Sequence, residues 1–378
     1  MRKTGRAAVI AACVLSVAAL ASCSSDESSD GGKTTTPAAT DGGGGGGETC
    51  TTKTKVKMTL QWVAQAQFAG NFAALDQGYY DEACIELELQ PGGPDINAVQ
   101  LLLTGDTDLA GWQFGAVLTA RAEGADVISI GQVFERSGYQ LLSFADKGIE
   151  TAEDFKGKTV GLWGGFQASF SAAAGKHGLN IDSDVTIYNQ GFDMLALLNG
   201  EIDLASAMSY NEYAQALAGA NGRELRVFDF NEDGTAALQD TIATTRGWVE
   251  KNPEVATAFL KATMKGWIYC RDNPDKCVDI VLKAGPALQE NYQVWQMNEV
   301  NKLLWPSTNG LFSLTQGMFD QTHAILLDNG VIPEAQQYAD AVDMSFRDAA
   351  AKELADEDLM GADFKAQELD PKALFAGG

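Results

Sequence analysis

Three tryptophans, each at the end of a predicted β-strand, are the side chains of this sequence best suited to recognise a ligand. Trp62, Trp112 and Trp163 each close a short apolar run and precede polar or aromatic residues. Indole rings can stack on a planar molecule while amides and carboxylates bind its edge. Taken singly, each tryptophan could equally close the core of its own half of the protein, but the repeated arrangement favours a binding site.

The candidate ligand-binding residues share one position, just beyond the end of a predicted strand, where ligands bind in open parallel sheets. They are Trp62, Gln67, Phe68, Trp112, Gln113, Phe114, Glu135, Trp163, Phe166, Gln167, Asn189, Asp193, Tyr210, Asn211 and Glu212. The same loops also contain Gln65, Arg136, Gly164, Gly165 and Gln190. Because amide and aromatic side chains dominate this set, we expect a neutral or weakly basic heterocycle as the ligand.

Glu212 is the candidate whose charge says most about the ligand. It begins a predicted helix, where a carboxylate is favoured by the helix dipole whatever its function. In a cleft it would accept a hydrogen bond from an amino group, such as that of an aminopyrimidine. Arg136 is the one basic residue of the predicted ligand loops, yet a sulfonate, nitrate or phosphate could still bind at helix N-termini.

Catalysis has little support in the sequence, and we expect a protein that binds its ligand without a cofactor or a metal ion. The two histidines, His177 and His323, lie in amphipathic stretches typical of surface or packing positions. No Ser-His-Asp grouping, HExxH motif or P-loop is present in the sequence. The glycine-rich segment 161–165 lacks the dinucleotide-binding pattern and is better explained by close approach of the backbone to a ligand.

The amino-terminal residues indicate export and attachment to a membrane. Three basic residues within 1–6 precede an apolar stretch over 7–20, which is too short to span a bilayer comfortably. Small residues then lead to Cys23, in a Leu-Ala-Ser-Cys sequence that resembles the lipobox of bacterial lipoproteins. We predict a signal peptide over 1–22, lipidation of Cys23 and an extracytoplasmic location at the cell membrane. An ordinary signal peptide with a chance cysteine is the alternative.

A flexible linker and an acidic surface are predicted for the exported chain. Residues 24–49 are mostly Ser, Gly, Thr and Asp without a large apolar side chain, so we expect lipid anchor and linker over 23–53. Without residues 1–22 the chain keeps 24 basic and 51 acidic residues, a charge of −27. This charge disfavours nucleic acid and anionic lipid as partners. The remainder is longer than one hydrophobic core usually serves, so we expect two lobes.

Four cysteines outside the predicted signal peptide and lipidation site form an even set, as expected of disulfides in an oxidising compartment. Three pairings are possible. Cys50 and Cys84 each precede one of the first two predicted strands, whose starts would be neighbours in a parallel sheet, and Cys270 and Cys277 flank a turn. We therefore favour 50–84 and 270–277. A zinc site is the alternative, disfavoured because no CxxC motif is present and histidines are few.

Two consecutive sets of alternating strands and helices would position the candidate residues. The first set has strands at 56–62, 85–90, 109–112 and 127–132 and helices at 69–77, 96–103 and 113–123. The second set has strands at 159–163, 185–188 and 204–208, an extended segment at 225–230 and helices at 169–177, 192–198 and 211–217. Residues 102–110 and 197–205 match each other, which suggests two halves built alike. The order predicts an α/β fold with parallel-rich sheets flanked by helices, followed by a mainly helical chain from 253 onward.

Four segments in this order resemble one family. They are Leu-Gln-Trp-Val with Gln-Phe-Ala-Gly and Gly-Tyr-Tyr within 60–80, Gly-Asp-Thr-Asp-Leu-Ala at 105–110, Thr-Ala-Glu-Asp-Phe-Lys-Gly-Lys-Thr-Val-Gly at 151–161, and Asn-Gly-Glu-Ile-Asp-Leu-Ala at 199–205. Together they resemble bacterial binding proteins related to the thiamine-pyrimidine synthases, over 56–267 well and more loosely beyond. The eukaryotic synthases of this superfamily carry a cysteine-rich stretch and a sacrificial histidine, and nothing in this sequence matches that stretch.

The resemblance implies the two-lobed fold of type II periplasmic binding proteins, which closes on its ligand about a hinge. Lobe 1 would take 54–142 and would be completed by the return over 228–378, which includes the C-terminal helices. Lobe 2 would take 143–227. Crossings near 139–144 and 226–230 would form the hinge.

The resemblance also implies a function, that of the substrate-binding subunit of an ABC importer, which delivers a small molecule to a permease and its ATPase. A thiamine pyrimidine precursor and riboflavin are the leading ligands, and an alkanesulfonate, taurine or nitrate is the alternative. An extracytoplasmic enzyme of heterocycle metabolism and a ligand-sensing partner of a membrane receptor are hypotheses of other classes. We expect a monomer that is held to the membrane through its lipid anchor alone.

Overall fold

The computed structural model describes Cys50 and residues 52–375. The predicted signal peptide, the lipidation of Cys23 and most of the predicted linker lie outside these residues. Two sheets of five strands, flanked by helices, form the framework of the described chain. The predicted α/β class is therefore confirmed.

The strands of the two sheets are short and lie mostly where the sequence predicts them. They are β1 (Thr54–Thr59), β2 (Ile85–Gln90), β3 (Leu109–Trp112), β4 (Val127–Gln132), β5 (Tyr139–Phe144), β6 (Thr159–Leu162), β7 (Thr186–Asn189), β8 (Leu204–Met208), β9 (Leu225–Asp229) and β10 (Thr241–Thr245). The bounds of β2, β3, β4 and β8 match the prediction. β1 ends three residues before Trp62, and β5 and β10 are strands that the sequence analysis did not predict.

Both sheets contain four strands that run in one direction and one that runs against them. The first sheet has the order β2-β1-β3-β10-β4, with β10 antiparallel to both its neighbours. The second has the order β7-β6-β8-β5-β9, with β5 antiparallel to both its neighbours. The parallel pairs bring the carboxyl ends of β1, β2 and β3 to one edge, and those of β6, β7 and β8 to one edge of the other sheet.

The matching segments of the sequence build the same junction in each sheet. Their glycines adopt a left-handed conformation, with φ of 75° at Gly105 and 76° at Gly200. Three residues later, an aspartate accepts a hydrogen bond from the backbone of the neighbouring strand. Asp108 does so from β1 at 2.9 Å and Asp203 from β6 at 3.0 Å. The two sheets are therefore built alike at the amino ends of their strands.

The chain passes between the sheets at positions that differ from the prediction. Segments 139–144 and 226–230, predicted as the crossings, lie almost entirely in the paired strands β5 and β9 of the second sheet. The crossings instead occupy 133–138 and 230–240, between β4 and β5 and between β9 and β10. The boundary predicted after 142 thus falls inside a strand. A hinge between moving lobes stays a prediction, and these crossings are where we now expect it.

Helices cover both sheets and make up most of the chain after β10. They are α1 (Ala69–Asp76), α2 (Tyr79–Glu82), α3 (Ala98–Thr104), α4 (Phe114–Ala122), α5 (Gln167–Lys176), α6 (Leu195–Leu198), α7 (Glu212–Gly219), α8 (Phe230–Asp233), α9 (Arg246–Lys251), α10 (Pro253–Asp272), α11 (Pro274–Ala284), α12 (Glu290–Leu304), α13 (Gln316–Asp328), α14 (Tyr338–Ala341), α15 (Ser345–Glu353) and α16 (Pro371–Leu374). Single turns of 3₁₀ helix lie at Ala66–Phe68, Ala145–Lys147 and Ala152–Phe155. None of the described helices is long and apolar enough to cross a bilayer.

The first sheet packs against α10, which also fixes the start of α1. α10 buries Phe259 and Trp267 in the core. The two helices touch through glycines, because a Cβ added to Gly266 would lie 2.0 Å from the carbonyl oxygen of Gly70. This contact holds the 3₁₀ turn just before α1, which carries part of the site described below.

Two disulfides connect neighbouring elements. Cys50 is bonded to Cys84 and Cys270 to Cys277, with Cα–Cα distances of 5.5 and 5.4 Å. The first bond joins the starts of β1 and β2, which are parallel neighbours. This is the pairing that the sequence favours, and a cysteine held in a disulfide offers no thiolate to zinc.

Candidate ligand-binding site

A cavity of about 440 Å³ lies where the carboxyl ends of the strands of the two sheets meet. Its first-sheet wall follows β1, β2 and β3 and consists of Gln61, Trp62, Gln65, Gln67, Gly93, Pro94, Ile96, Trp112, Gln113 and Ala116. Its second-sheet wall follows β6, β7 and β8 and consists of Trp163, Gly164, Gly165, Phe166, Phe192, Met208, Tyr210, Asn211 and Glu212. The cavity thus has the position in which open parallel sheets bind ligands.

Nine of the fifteen candidate residues line this cavity, and they come from both walls. They are Trp62, Gln67, Trp112, Gln113, Trp163, Phe166, Tyr210, Asn211 and Glu212. The walls come close at Gly165, which has φ of 77° and where an added Cβ would lie 3.7 Å from Gln113 Oε1. Contact of these side chains with a ligand stays a prediction.

Phe68 and Phe114 are wrong predictions, because both side chains lie in the core. Phe114 is fully buried and meets Phe319 edge to face, with 6.0 Å between ring centroids. In each case the preceding glutamine, Gln67 or Gln113, lines the cavity instead. Successive side chains on a helical turn point about 100° apart, so only one of each pair can face the cavity.

Glu135 is also wrong as a site residue, and its neighbour Arg136 lies outside the cavity with it. Both oxygens of the Glu135 carboxylate accept from the backbone N–H of Thr308, at 3.0 and 2.9 Å. Arg136 donates to the carbonyl oxygens of Lys302 and Pro306, at 3.2 and 2.6 Å. These residues join the loop after β4 to the end of α12 and give the cavity no charge.

Three further candidates, all in the second sheet, lie outside the cavity. Gln167 faces a separate depression, and Asn189 is exposed at the end of the edge strand β7. Asp193 accepts from the backbone N–H of Leu195 at 2.8 Å, in a local turn just before α6. Gln190 is buried and its amide bonds both backbone groups of Ser206, so it has a structural role. The edge strand therefore contributes through another residue.

That residue is Phe192, which the sequence analysis assigned to a helix and not to the site. Its side chain is 50% exposed, and its ring lies 4.9 Å from Trp62 and 6.0 Å from Trp163, centroid to centroid. The indole N–H of Trp163 donates to the Gly191 carbonyl at 2.9 Å, which fixes the loop that carries Phe192. Phe192 therefore connects the tryptophans of the two walls.

Glu212 is an ionisable group almost removed from water. Its side chain is 5% exposed, although it begins α7 as predicted. It accepts from the backbone N–H of Met208 at 3.0 Å and from Asn211 Nδ2 at 2.8 Å. Burial outweighs these bonds and raises the pKa of Glu212 to about 7. Its carboxyl can therefore accept or donate at neutral pH, which a group placed only to cap a helix would not require.

A second buried carboxyl, Asp240, lies behind the first-sheet wall and was missed by the sequence analysis. It is 4% exposed and accepts from Gln67 Nε2 at 2.9 and 3.2 Å. Gln67 Oε1 accepts from Gln65 Nε2 at 2.7 Å. Burial raises the pKa of Asp240 to about 7, and it raises the pKa of the nearby Tyr210 well above its usual value, so that this phenol stays protonated. No sequence signal marks Asp240, since 173 residues separate it from Gln67.

The cavity is acidic and aromatic. Among the residues that line it, all of them in the described part of the chain, none is Lys, Arg or His. A larger depression of about 630 Å³ lies on the outer helices α2, α10 and α15, where the Lys265–Glu82 and Lys261–Glu353 ion pairs line it. We assign the ligand site to the smaller cavity, because aromatic rings and buried polar groups converge there.

The family model for NMT1/THI5-like proteins matches residues 65–277, which contain every candidate residue except Trp62. The chain belongs to the NMT1/THI5-like family. Its membership confirms the resemblance drawn from the sequence motifs, and the matched region spans both walls of the cavity.

Relatives of known name include binding proteins and enzymes. The riboflavin-binding protein RibY of Chloroflexus aurantiacus is 26% identical over 263 residues, 65% of this chain and 74% of that protein. The formylaminopyrimidine-binding protein of Halalkalibacterium halodurans is 23% identical over 235 residues, 60% of this chain and 69% of that protein. Proteins named as 4-amino-5-hydroxymethyl-2-methylpyrimidine phosphate synthases are also similar to this chain.

Solved structures identify the fold. The periplasmic aliphatic sulphonate binding protein SsuA from Escherichia coli superposes with a TM-score of 0.61 at 16% identity, over 76% of this chain and 92% of that one. The predicted periplasmic-binding fold, with two mixed sheets flanked by helices, is thereby confirmed.

Proposed function

We propose that this protein is the extracytoplasmic substrate-binding subunit of an ABC importer and that it captures a planar nitrogen heterocycle. The observation that carries the proposal is a buried carboxyl, Glu212, in a cavity walled by tryptophans and lined by no cation. The rings would hold the faces of a flat ligand, and the carboxyl would bind an N–H group at its edge.

An aminopyrimidine matches this arrangement group by group. Its amino group is a donor and the adjacent ring nitrogen is an acceptor, and a carboxyl with a pKa near neutrality can serve both. Gln61 Oε1 is buried and has no donor among the described residues, so it is free to accept from the ligand. The similarity to the formylaminopyrimidine-binding protein supports this ligand class, and the similarity to RibY supports riboflavin as the second choice.

A sulfonate or nitrate is the weaker candidate, although the fold resembles that of a sulphonate-binding protein. Such an anion would lie beside Glu212 with Asp240 behind it, and no cationic side chain lines the cavity. The N-termini of α4 and α5 adjoin the cavity at Gln113 and Phe166 and could offer partial positive charge. Against two buried carboxyls, that partial charge favours a neutral or protonated ligand.

Binding without turnover is the proposed role, despite the relatives that are named as synthases. The side chains that line the cavity include no Ser, Thr, Cys, His or Lys, so among the described wall residues the potential nucleophiles are Glu212 and Tyr210. His177 lies elsewhere, bonded to Asp233 and Glu153 at 2.7 and 3.0 Å. Tyr210 and Glu212 could transfer a proton, and turnover measured without a permease would favour the enzyme hypothesis.

The remaining parts of the proposal concern the membrane. Lipidation of Cys23 would hold the protein at the cell surface, with segment 23–53 as anchor and linker and an ABC permease with its ATPase as partners. Closure of the two sheets about the crossings at 133–138 and 230–240 would present the loaded protein to the permease. Replacing Cys23 by Ala should release the protein into the medium or leave it as an unprocessed precursor, as measured by fractionation.

Mass spectrometry of the small molecules released when the purified protein is denatured tests the proposed ligand class. An aminopyrimidine or a flavin supports it. An organosulfonate as the sole bound molecule contradicts it.

A further inference from the structure

A chain of three side chains leads from the cavity to one of the crossings between the sheets. Gln65 and Gln67 both line the cavity, and Asp240 ends the crossing at 230–240. The amide of Gln65 donates to the amide of Gln67, which donates in turn to both oxygens of the Asp240 carboxylate. Within the described residues, no donor is bonded to Gln65 Oε1, so this oxygen is left for the ligand.

Two amides and a carboxyl in a row can be bonded in only two ways. An ionised carboxylate only accepts, so Gln67 must turn its NH₂ group toward Asp240 and its oxygen toward Gln65. A protonated carboxyl can donate to Gln67 Oε1, in which case both amides reverse and Gln65 turns its NH₂ group to the cavity. An ionised Asp240 therefore makes Gln65 offer the ligand an acceptor, whereas a protonated Asp240 lets Gln65 offer either an acceptor or a donor.

We infer that Asp240 is a positioning residue of the ligand site, whose carboxylate fixes the orientation of the Gln67 and Gln65 amides so that the Gln65 oxygen faces the ligand. The identity of the ligand in this inference rests on the proposed function. The orientation of the two amides rests on the hydrogen bonds alone. It makes the site select for a ligand that has an N–H or O–H donor at this place.

Asp240 has no partner for its carboxyl among the described side chains other than Gln67. We call the hydrogen-bonded chain of Gln65, Gln67 and Asp240 the relay. Its side chain accepts from Gln67 alone, and none of the ion pairs formed by the described residues includes it. Tyr210 is a titratable neighbour, because the charges of Asp240 and Glu212 both add to the burial that raises its pKa. Burial raises the pKa of Asp240 to about 7, so its charge changes within the pH range around neutrality.

The backbone of Asp240 adopts a left-handed conformation. Its φ is 48°, in a region that Gly, Asn and Asp adopt more readily than other residues. Its carbonyl oxygen accepts from the backbone N–H of Val133, in the other crossing, at 2.9 Å. Asn tolerates the same φ, so Asp240→Asn changes the charge without changing the backbone.

The relay is tested by NMR on the full-length protein with ¹⁵N-labelled glutamine, following the side-chain resonances of Gln65 and Gln67 from pH 5 to pH 9. In the wild type we expect both to shift with one shared midpoint, and in Asp240→Asn we expect no shift. Asp229→Asn is the matched control, since this carboxylate caps Asn231 in the same returning segment and does not reach the site. Resonances that do not move in the wild type, or that still titrate in Asp240→Asn, would overturn the inference.

Binding of 4-amino-5-hydroxymethyl-2-methylpyrimidine supplies the second measurement. We expect Asp240→Asn to weaken it by about tenfold at pH 8, because Gln65 no longer holds one orientation, and Asp229→Asn to leave it unchanged. Weaker binding with unaltered glutamine resonances would contradict the relay. If this probe fails to bind the wild type, the proposed ligand class is wrong. The glutamine resonances still test whether Asp240 orients the two amides.

Discussion

The two walls of the cavity come from sheets that are built alike, yet they offer a ligand different chemistry. At the amino ends of the strands, Asp108 and Asp203 make the same bond to a neighbouring strand. At the carboxyl ends, the first-sheet wall carries four glutamines and two tryptophans, and the second-sheet wall carries aromatic rings and one buried carboxyl. The shared ends belong to the fold, and we propose that the divergent ends provide recognition.

The two walls both hold polar groups by hydrogen bonds, and they differ in the exposure of an aromatic ring. In the first-sheet wall, the backbone N–H groups of Ala66 and Gln67 donate to Gln293 and Gln296 of α12, at 2.8 and 3.2 Å, and Asp240 binds the Gln67 amide. In the second-sheet wall, Phe192 is half exposed on an edge loop. Glu212 and Trp163 of the second-sheet wall are also held by hydrogen bonds, so the difference between the walls lies in the exposed ring of Phe192.

The largest expected effect concerns the stability cost of the carboxyl in the second-sheet wall. The pKa of Glu212 is raised from 4.5 to about 7 in the folded protein. Its contribution to the free energy of unfolding is therefore fully present below pH 4.5 and is lost as the pH rises toward 7. The free energy of unfolding should fall by about 3 kcal/mol over this range through Glu212 alone. Urea unfolding of wild type and Glu212→Gln between pH 4 and pH 8 measures it, and Glu212→Gln should be the more stable protein at pH 8. Equal stability of the two proteins at pH 8 would show that Glu212 is not held at a cost.

The same substitution should weaken ligand binding, because a charge-assisted bond to an amino group becomes a neutral one. We expect Glu212→Gln to lose about 2 kcal/mol of binding free energy for the aminopyrimidine at pH 8, measured by calorimetry. Glu135→Gln is the matched control, since that carboxylate is bonded to Thr308 outside the cavity. An equal loss in Glu135→Gln would mean that the effect is one of overall charge and not of the site.

Stacking in the first-sheet wall should contribute less than the carboxyl opposite. Trp112→Phe should weaken binding by about 1 kcal/mol, because a smaller ring preserves only part of the stacking. Trp248→Phe, in α9 and away from the cavity, controls for changes in tryptophan fluorescence. Binding to the wild type should quench that fluorescence, and a quench that survives in full in Trp112→Phe would contradict the assignment of Trp112.

The smallest expected effect is that of the aromatic contact between the walls. Phe192→Ala removes the ring between Trp62 and Trp163 and should weaken binding by about 0.5 kcal/mol, chiefly through faster dissociation. Leu195→Ala, which truncates a more exposed apolar residue at the start of the following helix α6, is the control. Stopped-flow fluorescence separates the two rates, and a change confined to the association rate would argue against a contact that retains the ligand.

The sequence predicts the position of the site better than the direction of its side chains. Strand ends and a repeated helix–strand junction are local patterns, and they locate both walls. Whether Gln67 or Phe68 faces the cavity depends on the packing of α1 against α10, which no local pattern encodes. Glu135 fails for a similar reason, because its partner Thr308 is 173 residues away. The sequence therefore indicates more polar residues at strand ends than face the cavity, and tertiary packing decides which of them do.

Two features of the site could not be found by reading along the chain. Asp240 follows a segment without a predicted strand, and β10 enters the first sheet antiparallel between β3 and β4. Phe192 follows an edge strand whose described residues are exposed, so its periodicity gives no sign of a buried face. Asp240 belongs to a crossing between the sheets, and the crossings were also the part of the topology that the sequence placed wrongly, whereas Phe192 lies in the loop between β7 and α6.

Calorimetry of the wild-type protein at pH 7.5 with 4-amino-5-hydroxymethyl-2-methylpyrimidine and with an alkanesulfonate tests most directly whether the cavity recognises a heterocycle through Glu212. We predict that the pyrimidine binds, that Glu212→Gln weakens its binding, and that the sulfonate does not bind. Binding of the sulfonate alone, tightened by Glu212→Gln, would contradict it.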